Sequence, residues 1–151
     1  MKVATKAPYT DLSIREQEGR REVFDPTRRR WVALTPEEGV RQHTILILHR
    51  HYGYPMELMQ VEGAITVNGM TRRCDIVVYD TKGCPQMIVE CKRPEVPLTQ
   101  KVCDQACRYN TVLQVPLLLL TNGNQQVVLE VDFAAYALHQ LPDVPPFLKN
   151  S

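Results

Sequence analysis

Three residues in one short stretch have the types and spacing that phosphodiester chemistry needs. In RCDIVVYDTKGCPQMIVECKRP, residues 73–94, Asp75 opens one apolar run and Glu90-Cys91-Lys92 closes a second. Side chains alternate along a strand, so Glu90 and Lys92 share a face and Cys91 takes the other. Between the runs, Asp80-Thr81-Lys82-Gly83-Cys84-Pro85 is rich in turn formers. A hairpin folded symmetrically about Lys82-Gly83 sets Asp75 opposite Glu90, and opposed residues have Cβ atoms roughly 4.5–5.5 Å apart. Two like charges at that distance repel unless something neutralises them. A hard divalent cation such as Mg²⁺ takes carboxylate oxygens and would do so, and an ammonium on the same face would complete the equipment for metal-assisted phosphodiester cleavage. A slip of one residue would break the pairing, and ordinary solvated strand ends are the plain alternative for the same spacing.

The elements around this stretch must hold it in place. Thr35-Pro36-Glu37-Glu38 starts a helix, with Thr35 as N-cap, Pro36 at the first position and Glu38 closing a capping box. The helix runs through GVRQHTILILHRHY to a stop at Gly53-Tyr54-Pro55. A strand over residues 57–67 ends at Asn68-Gly69, and strands over 74–79 and 86–92 follow. Pro94 and Pro97 bracket a linker. A second helix spans 98–113, with Thr99 near its cap. A buried strand over 117–120 turns at Thr121-Asn122-Gly123-Asn124 and pairs back over 126–131. Upstream, IREQEGRREVF, a turn at Asp25-Pro26-Thr27 and RRRWVAL suggest one hairpin. A short helix over 133–139 lies in the proline-rich last segment.

This order predicts an α/β sandwich with a mixed sheet. The crossover helix between the third and fourth core strands implies a parallel step there, normally right-handed. The expected organisation is a tail (1–12), a single domain over 13–132 (hairpin 13–34, core 35–132) and an extension (133–151).

Several residues are placed to join the site. Gln105 and Tyr109 are spaced i, i+4 on one side of the second helix, where they could touch a phosphate or simply pack. Glu37 and Glu38 sit in a first helical turn, where the helix dipole favours acids; one of them, preferably Glu38, could instead complete the carboxylate cluster. Arg41 and Gln42 come one turn later and could contact nucleic acid. Arg72, Arg73, Lys92, Arg93, Lys101 and Arg108 surround the stretch, the pattern expected of a phosphate-binding surface. The earlier cluster Arg20, Arg21, Arg28, Arg29 and Arg30 reads as a solvated face with Glu16, Glu18, Glu22 and Asp25 as local partners.

Composition narrows the classes. The chain has 151 residues and a formal net charge of +1, suited to one domain with a sizeable core. No apolar run is long enough to cross a bilayer, and the N-terminus lacks a signal-peptide core. A cytoplasmic location is expected. Five cysteines, without any C-x-x-C, and four histidines without ligand spacing argue against a zinc site.

Asp75, a short hairpin and Glu90-Cys91-Lys92 resemble the D…(D/E)xK signature of the PD-(D/E)XK nuclease superfamily. The resemblance is closer to the N-terminal nuclease domain of type I restriction enzyme R subunits and to small stand-alone proteins sharing it. It is carried by FDPTRRRWVALTPEEGVRQ, RCDIVVYDTKG, VECKRPEVPLTQ, DQACRYN and LLLLTNG, most of residues 23–123. The resemblance implies a restriction-endonuclease-like α/β/α core and Mg²⁺- or Mn²⁺-dependent DNA hydrolysis. It implies Asp75 and Glu90 as metal ligands, with the Cys91 carbonyl as a third, and Lys92 as the residue orienting water or offsetting phosphate charge. Glu38 would match the first-helix acid, with Glu37 its rival; Gln105 and Tyr109 would support the site or contact DNA. Partners would be DNA and other restriction-modification or motor subunits. No Walker A pattern is present, so this chain is not expected to translocate DNA. The rival function is a non-catalytic nucleic-acid-binding or interaction domain that keeps the nuclease fold.

Overall fold

A computed structural model describes residues 4–5, 12–135 and 137–148, apart from the side chains of 4, 5, 109, 111 and 112. Strands β1 (Ala4–Thr5), β2 (Ile14–Gln17), β3 (Arg20–Asp25) and β4 (Arg30–Ala33) precede helix α1 (Pro36–Arg50). Then come β5 (Met59–Val61), β6 (Ala64–Val67), β7 (Met70–Arg73), β8 (Ile76–Tyr79) and β9 (Pro85–Cys91). Helix α2 (Gln100–Leu113) leads into β10 (Leu117–Thr121), β11 (Gln125–Asp132) and β12 (Ala137–Leu141).

A seven-stranded mixed sheet runs β1-β11-β10-β9-β8-β5, with β12 also paired to β11. The step from β9 across α2 to β10 is parallel, as the crossover predicts. Period-two alternation splits the sheet's apolar side chains between two cores. Val40, Ile45, Ile47 and Leu48 of α1 pack on Ile76, Val78, Met87, Val89 and Cys91. Cys103, Ala106 and Leu113 of α2 pack on the opposite face, with Val77, Ile88, Leu118 and Leu120. The result is the α/β/α layering of a restriction-endonuclease-like fold.

Both helix starts follow their caps. Thr35 Oγ1 accepts from Glu38 N at 3.1 Å, and Thr99 Oγ1 accepts from Val102 N at 3.3 Å. The reciprocal half of the α1 capping box is absent: Thr35 N donates to Ala33 O, because arginines and Gln42 claim the Glu38 carboxylate.

Three expectations are corrected. The residue 13–34 segment forms three strands, because Glu18 and Gly19 both take positive φ (56° and 75°) and make a tight turn inside the apparent first strand. The strand predicted over 57–67 is a 3₁₀ turn followed by two strands, broken where Glu62 takes φ 55°. Its second half, β6, leaves the main sheet and pairs with β7 around Asn68-Gly69 (φ 52° and 77°). The three core strands β5, β8 and β9 still pair antiparallel in that order, with this hairpin inserted between the first two. Finally, Ala137–Leu141 forms a strand where a short helix was predicted. Asp132 Oδ1 accepts from Ala134 N and Ala135 N, reversing the chain so that β12 pairs back onto β11.

Candidate active site

The β8–β9 register is the one that places the acids. Ile76 pairs with Val89 and Val77 with Ile88; one residue further, Asp75 faces Glu90. The bulge at Val78/Tyr79 lies on the turn side and does not disturb this end. The turn itself is held by Asp80 Oδ1, which accepts from Lys82 N and Cys84 N, both at 2.9 Å, with Gly83 at φ 83°.

Asp75 is fixed from two elements. Its Oδ2 accepts from Cys91 N at 2.7 Å, and its Oδ1 accepts from Arg41 Nη2 at 3.2 Å. Glu90 Oε1 accepts from Arg72 Nη2 at 2.9 Å. Both carboxylates are largely covered, with 16 % and 14 % side-chain exposure. Burial, reinforced by the charge on Asp75, pushes the Glu90 carboxyl above its usual value despite Arg72 and Lys92. Lys92 is half-buried, one residue past the end of β9, lines the same cleft as Glu90, and its backbone N donates to Thr121 O at 2.8 Å.

These groups open onto a cleft of about 420 Å³ lined by Glu37, Arg41, Glu62, Arg73 to Asp75, and Glu90 to Arg93 with Val96. Burial and the nearby Glu90 charge push the Cys74 thiol up to about 11, so it stands as a neutral thiol and not as a thiolate ligand. Cys91 turns its side chain into the α1 core, leaving only its backbone near the acids.

Glu38 lies behind the cleft wall. It is 8 % exposed and accepts from Arg28 Nη2 at 2.8 Å, Arg41 Nη1 at 3.2 Å and Gln42 Nε2 at 3.3 Å. Glu37 is the first-helix acid that lines the cleft. Gln42 is buried at 1 % and braces Glu38, so it does not present its amide to a ligand. Arg73 is exposed on the cleft wall. Gln105 is exposed on α2 and is not among the cleft-lining residues. The Tyr109 side chain lies outside the described residues.

Some participants escaped sequence reasoning. Glu62 lines the cleft and sits 3.6 Å from Arg41 Nη1 and 3.7 Å from Arg28 Nη1; it falls inside what reads as one continuous strand, so its sequence does not mark it. Arg28, expected on a solvated face, is inserted between Asp25 and Glu38. Asp25 is fully buried. Burial alone pushes its carboxyl up, but hydrogen bonds from Thr27, Arg28 and Gln42 outweigh that and hold it below its usual value.

Residues 36–145 match the model of a family described as type I restriction enzyme R protein N terminus. The chain belongs to this family. Its domain is thereby a PD-(D/E)XK nuclease-like one. Among solved structures, it is similar to a fragment assigned as an HsdR subunit of a type I restriction enzyme from Vibrio vulnificus YJ016, with 21% identity and a TM-score of 0.51. That match covers 75% of this chain and 24% of the other, so the chain spans about a quarter of that relative's length. A DUF820 protein from Anabaena variabilis, assigned as a nuclease, aligns at 12% identity and a TM-score of 0.46, over 91% of this chain and 80% of that one. No curated protein matches. Among the described residues, no helix is long and apolar enough to cross a membrane.

The donor set can be tested against a divalent cation. The Asp75 and Glu90 side chains offer only oxygens, the ligands Mg²⁺ and Mn²⁺ prefer. Burial takes water from the Glu90 carboxylate and so pushes its pKa up, a cost that a bound cation would offset. These residues fit such an ion. Among the described residues no group of three or more His, Cys, Asp or Glu side chains is gathered for one, so backbone and water would supply the remaining positions.

Proposed function

We propose that this chain hydrolyses DNA phosphodiester bonds at the Asp75–Glu90 cleft, with Mg²⁺ or Mn²⁺ held by these two carboxylates and the Cys91 carbonyl. The observation that carries the reading is the facing of Asp75 and Glu90 across the β8–β9 ladder, with Lys92 lining the same open cleft. Membership of the R-subunit N-terminal family supports DNA as substrate and other restriction-modification or motor subunits as partners.

A bound divalent ion lowers the pKa of its water and offsets charge on the phosphate. The chain's own residues do the rest. Arg41 and Cys91 N fix the Asp75 carboxylate. Lys92, a compact cation on a flexible stem, places positive charge where it develops on the phosphate oxygens. Arg73 and Arg93, exposed on the cleft wall, meet the flanking phosphates. Glu37 is the first-helix acid facing the reaction, while Glu38 holds Arg28 and Arg41 in place.

The test is metal-dependent nicking of plasmid and single-stranded DNA, with Asp75→Ala and Lys92→Ala as controls. Loss of cleavage in both variants is expected; activity that survives both overturns the assignment. The second reading, a DNA-binding domain without turnover, is favoured by one observation: an arginine occupies an oxygen of each carboxylate. Salt-sensitive DNA binding without cleavage under any divalent ion would select it.

A further inference from the structure

Glu90 and Asp75 are both held by arginines, but from different kinds of element. Arg41 comes from the buried body of α1, is 9 % exposed at its side chain, and also binds Glu38. It is part of the frame. Arg72 comes from β7, half of a two-stranded ribbon that belongs to neither larger sheet.

That ribbon is anchored at one end and open at the other. Cys74 N donates to Gly63 O at 2.8 Å at its base, and Ile65 packs into the α2 core. Towards the tip, Thr66, Asn68, Gly69, Met70 and Thr71 are exposed, with Met70 at 60 %. A two-stranded ribbon is marginal by itself and depends on what it packs against. Arg72 pairs with Ile65 near the anchored end, and its half-buried side chain puts Nη2 2.9 Å from Glu90 Oε1, tying the ribbon to the cleft. Arg73, the next residue along the strand, lines the same cleft.

Resting on the nuclease reading above, we propose that Arg72 is an exchangeable counter-ion of Glu90, which a phosphate of bound DNA draws away, opening the carboxylate to the divalent cation. Without DNA, the guanidinium and a cation compete for the same Glu90 oxygens. With DNA in the cleft, a phosphodiester offers Arg72 a bidentate partner of the same charge, set among the further negative charges of the strand. Arg72 then stabilises the bound strand, and Glu90 is left to the ion. DNA and cation therefore bind with positive coupling, and the coupling is reciprocal. Chemistry is confined to the state in which a substrate phosphate is present.

The experiment is calorimetric titration of the full chain with Mn²⁺ and with Ca²⁺, for wild type, Arg72→Ala and Arg72→Gln, with Arg50→Ala at the exposed end of α1 as control. Thermal melts verify folding, and Arg72→Gln serves if Arg72→Ala melts early. Without DNA, both Arg72 variants are expected to bind the ions about fivefold more tightly than wild type, the scale of one partly buried ion pair. In a second arm, Ca²⁺ titrated into protein saturated with a short duplex oligonucleotide binds more tightly than to wild-type protein alone, and this gain shrinks in the variants. Unchanged or weaker cation binding in both Arg72 variants, or an equal DNA-induced gain in all proteins, overturns the hand-over while the nuclease reading stands. Failure of wild type and variants alike to bind any divalent ion overturns the nuclease reading and this proposal with it.

Discussion

Arg41 Nη2 sits 3.2 Å from Asp75 Oδ1, joining α1 to the start of β8 across 34 residues of chain. The same guanidinium holds Glu38 through Nη1. A single side chain thus links the N-terminal sheet, through Glu38 and Arg28, to the acid at the head of the cleft. The fork of a guanidinium suits this, because two nitrogens can serve two carboxylates at once. Glu38 and Asp75, with other nearby negative groups, outweigh burial and push the Arg41 pKa up, so it stays charged.

Arg41→Ala is expected to destabilise the chain by about 3–5 kcal/mol, the usual result of removing one partner from a buried ion pair. Arg41→Lys should recover little, since an ammonium cannot bridge both acids. Urea unfolding of the three proteins checks this. A loss under about 1 kcal/mol for Arg41→Ala would mean that water replaces the guanidinium freely.

Asp25 provides a separate test, on the side of the site away from the chemistry. It receives Thr27 N at 2.8 Å, Thr27 Oγ1 at 2.6 Å and Arg28 N at 3.0 Å. Its folded pKa lies below the unfolded one, so its stabilising contribution is present above about pH 4 and is lost as pH falls through the folded pKa. Asp25→Asn is expected to cost about 3 kcal/mol at neutral pH. The gap to wild type should close on acidification. Melts between pH 2 and 7 decide it, and a gap that persists in acid would contradict the ionised, hydrogen-bonded role.

Glu90 has the opposite sign. Its folded pKa is raised, first by burial and then by Asp75. Its contribution to stability is therefore fully present below the unfolded pKa, about 4.3, and is lost as pH rises through the folded value. In EDTA, Glu90→Gln should match wild type near pH 3.5 and become relatively more stable towards neutral pH. The comparison between the two proteins cancels the Asp25 effect. A wild type that gains on Glu90→Gln as pH rises would show that Arg72 more than offsets the desolvation.

The parts of this site that could be read from sequence are those governed by counting along one strand pair. Asp75 and Glu90 are brought together by a period of two and a turn whose residues are local. Their partners could not be read this way. Arg41 is 34 residues from Asp75 and Arg72 is 18 from Glu90, and nothing in the chain marks which of many arginines turns inward. The choice between Glu37 and Glu38 depended on helix rotation against Arg28, a tertiary fact. The break at Glu62-Gly63 was hidden because residues on both sides alternate like one strand. In the segment 133–139 the alanines suit a helix, yet pairing with β11 decides the conformation from Ala137 onward.

That last segment bears on where the folded unit ends. Beyond β12, Val144 is 3 % exposed within the α1 core. Tyr52 OH donates to Asp143 Oδ1, which also accepts from Gln126 Nε2 at 3.3 Å. Tyr54 OH donates to Pro145 O at 2.6 Å, and Phe147 N donates to Tyr52 O at 2.9 Å. Burial, then the Asp143 carboxylate, pushes the Tyr52 phenol up to about 12, so it remains a donor at any ordinary pH. Removing residues 133–151 would strip Val144 from the core, worth about 1.5–3 kcal/mol. It would also strand two tyrosine hydroxyls at about 1–3 kcal/mol each. The sum rivals the roughly 5–15 kcal/mol stability of a whole domain. A chain truncated after Asp132 is therefore expected to lose its near-ultraviolet circular dichroism and aggregate, while Tyr52→Phe alone lowers stability by about 1 kcal/mol. A truncated chain that melts within about 3 °C of the full one, a difference of roughly 1 kcal/mol at this size, would make the segment an appendage and not part of the domain.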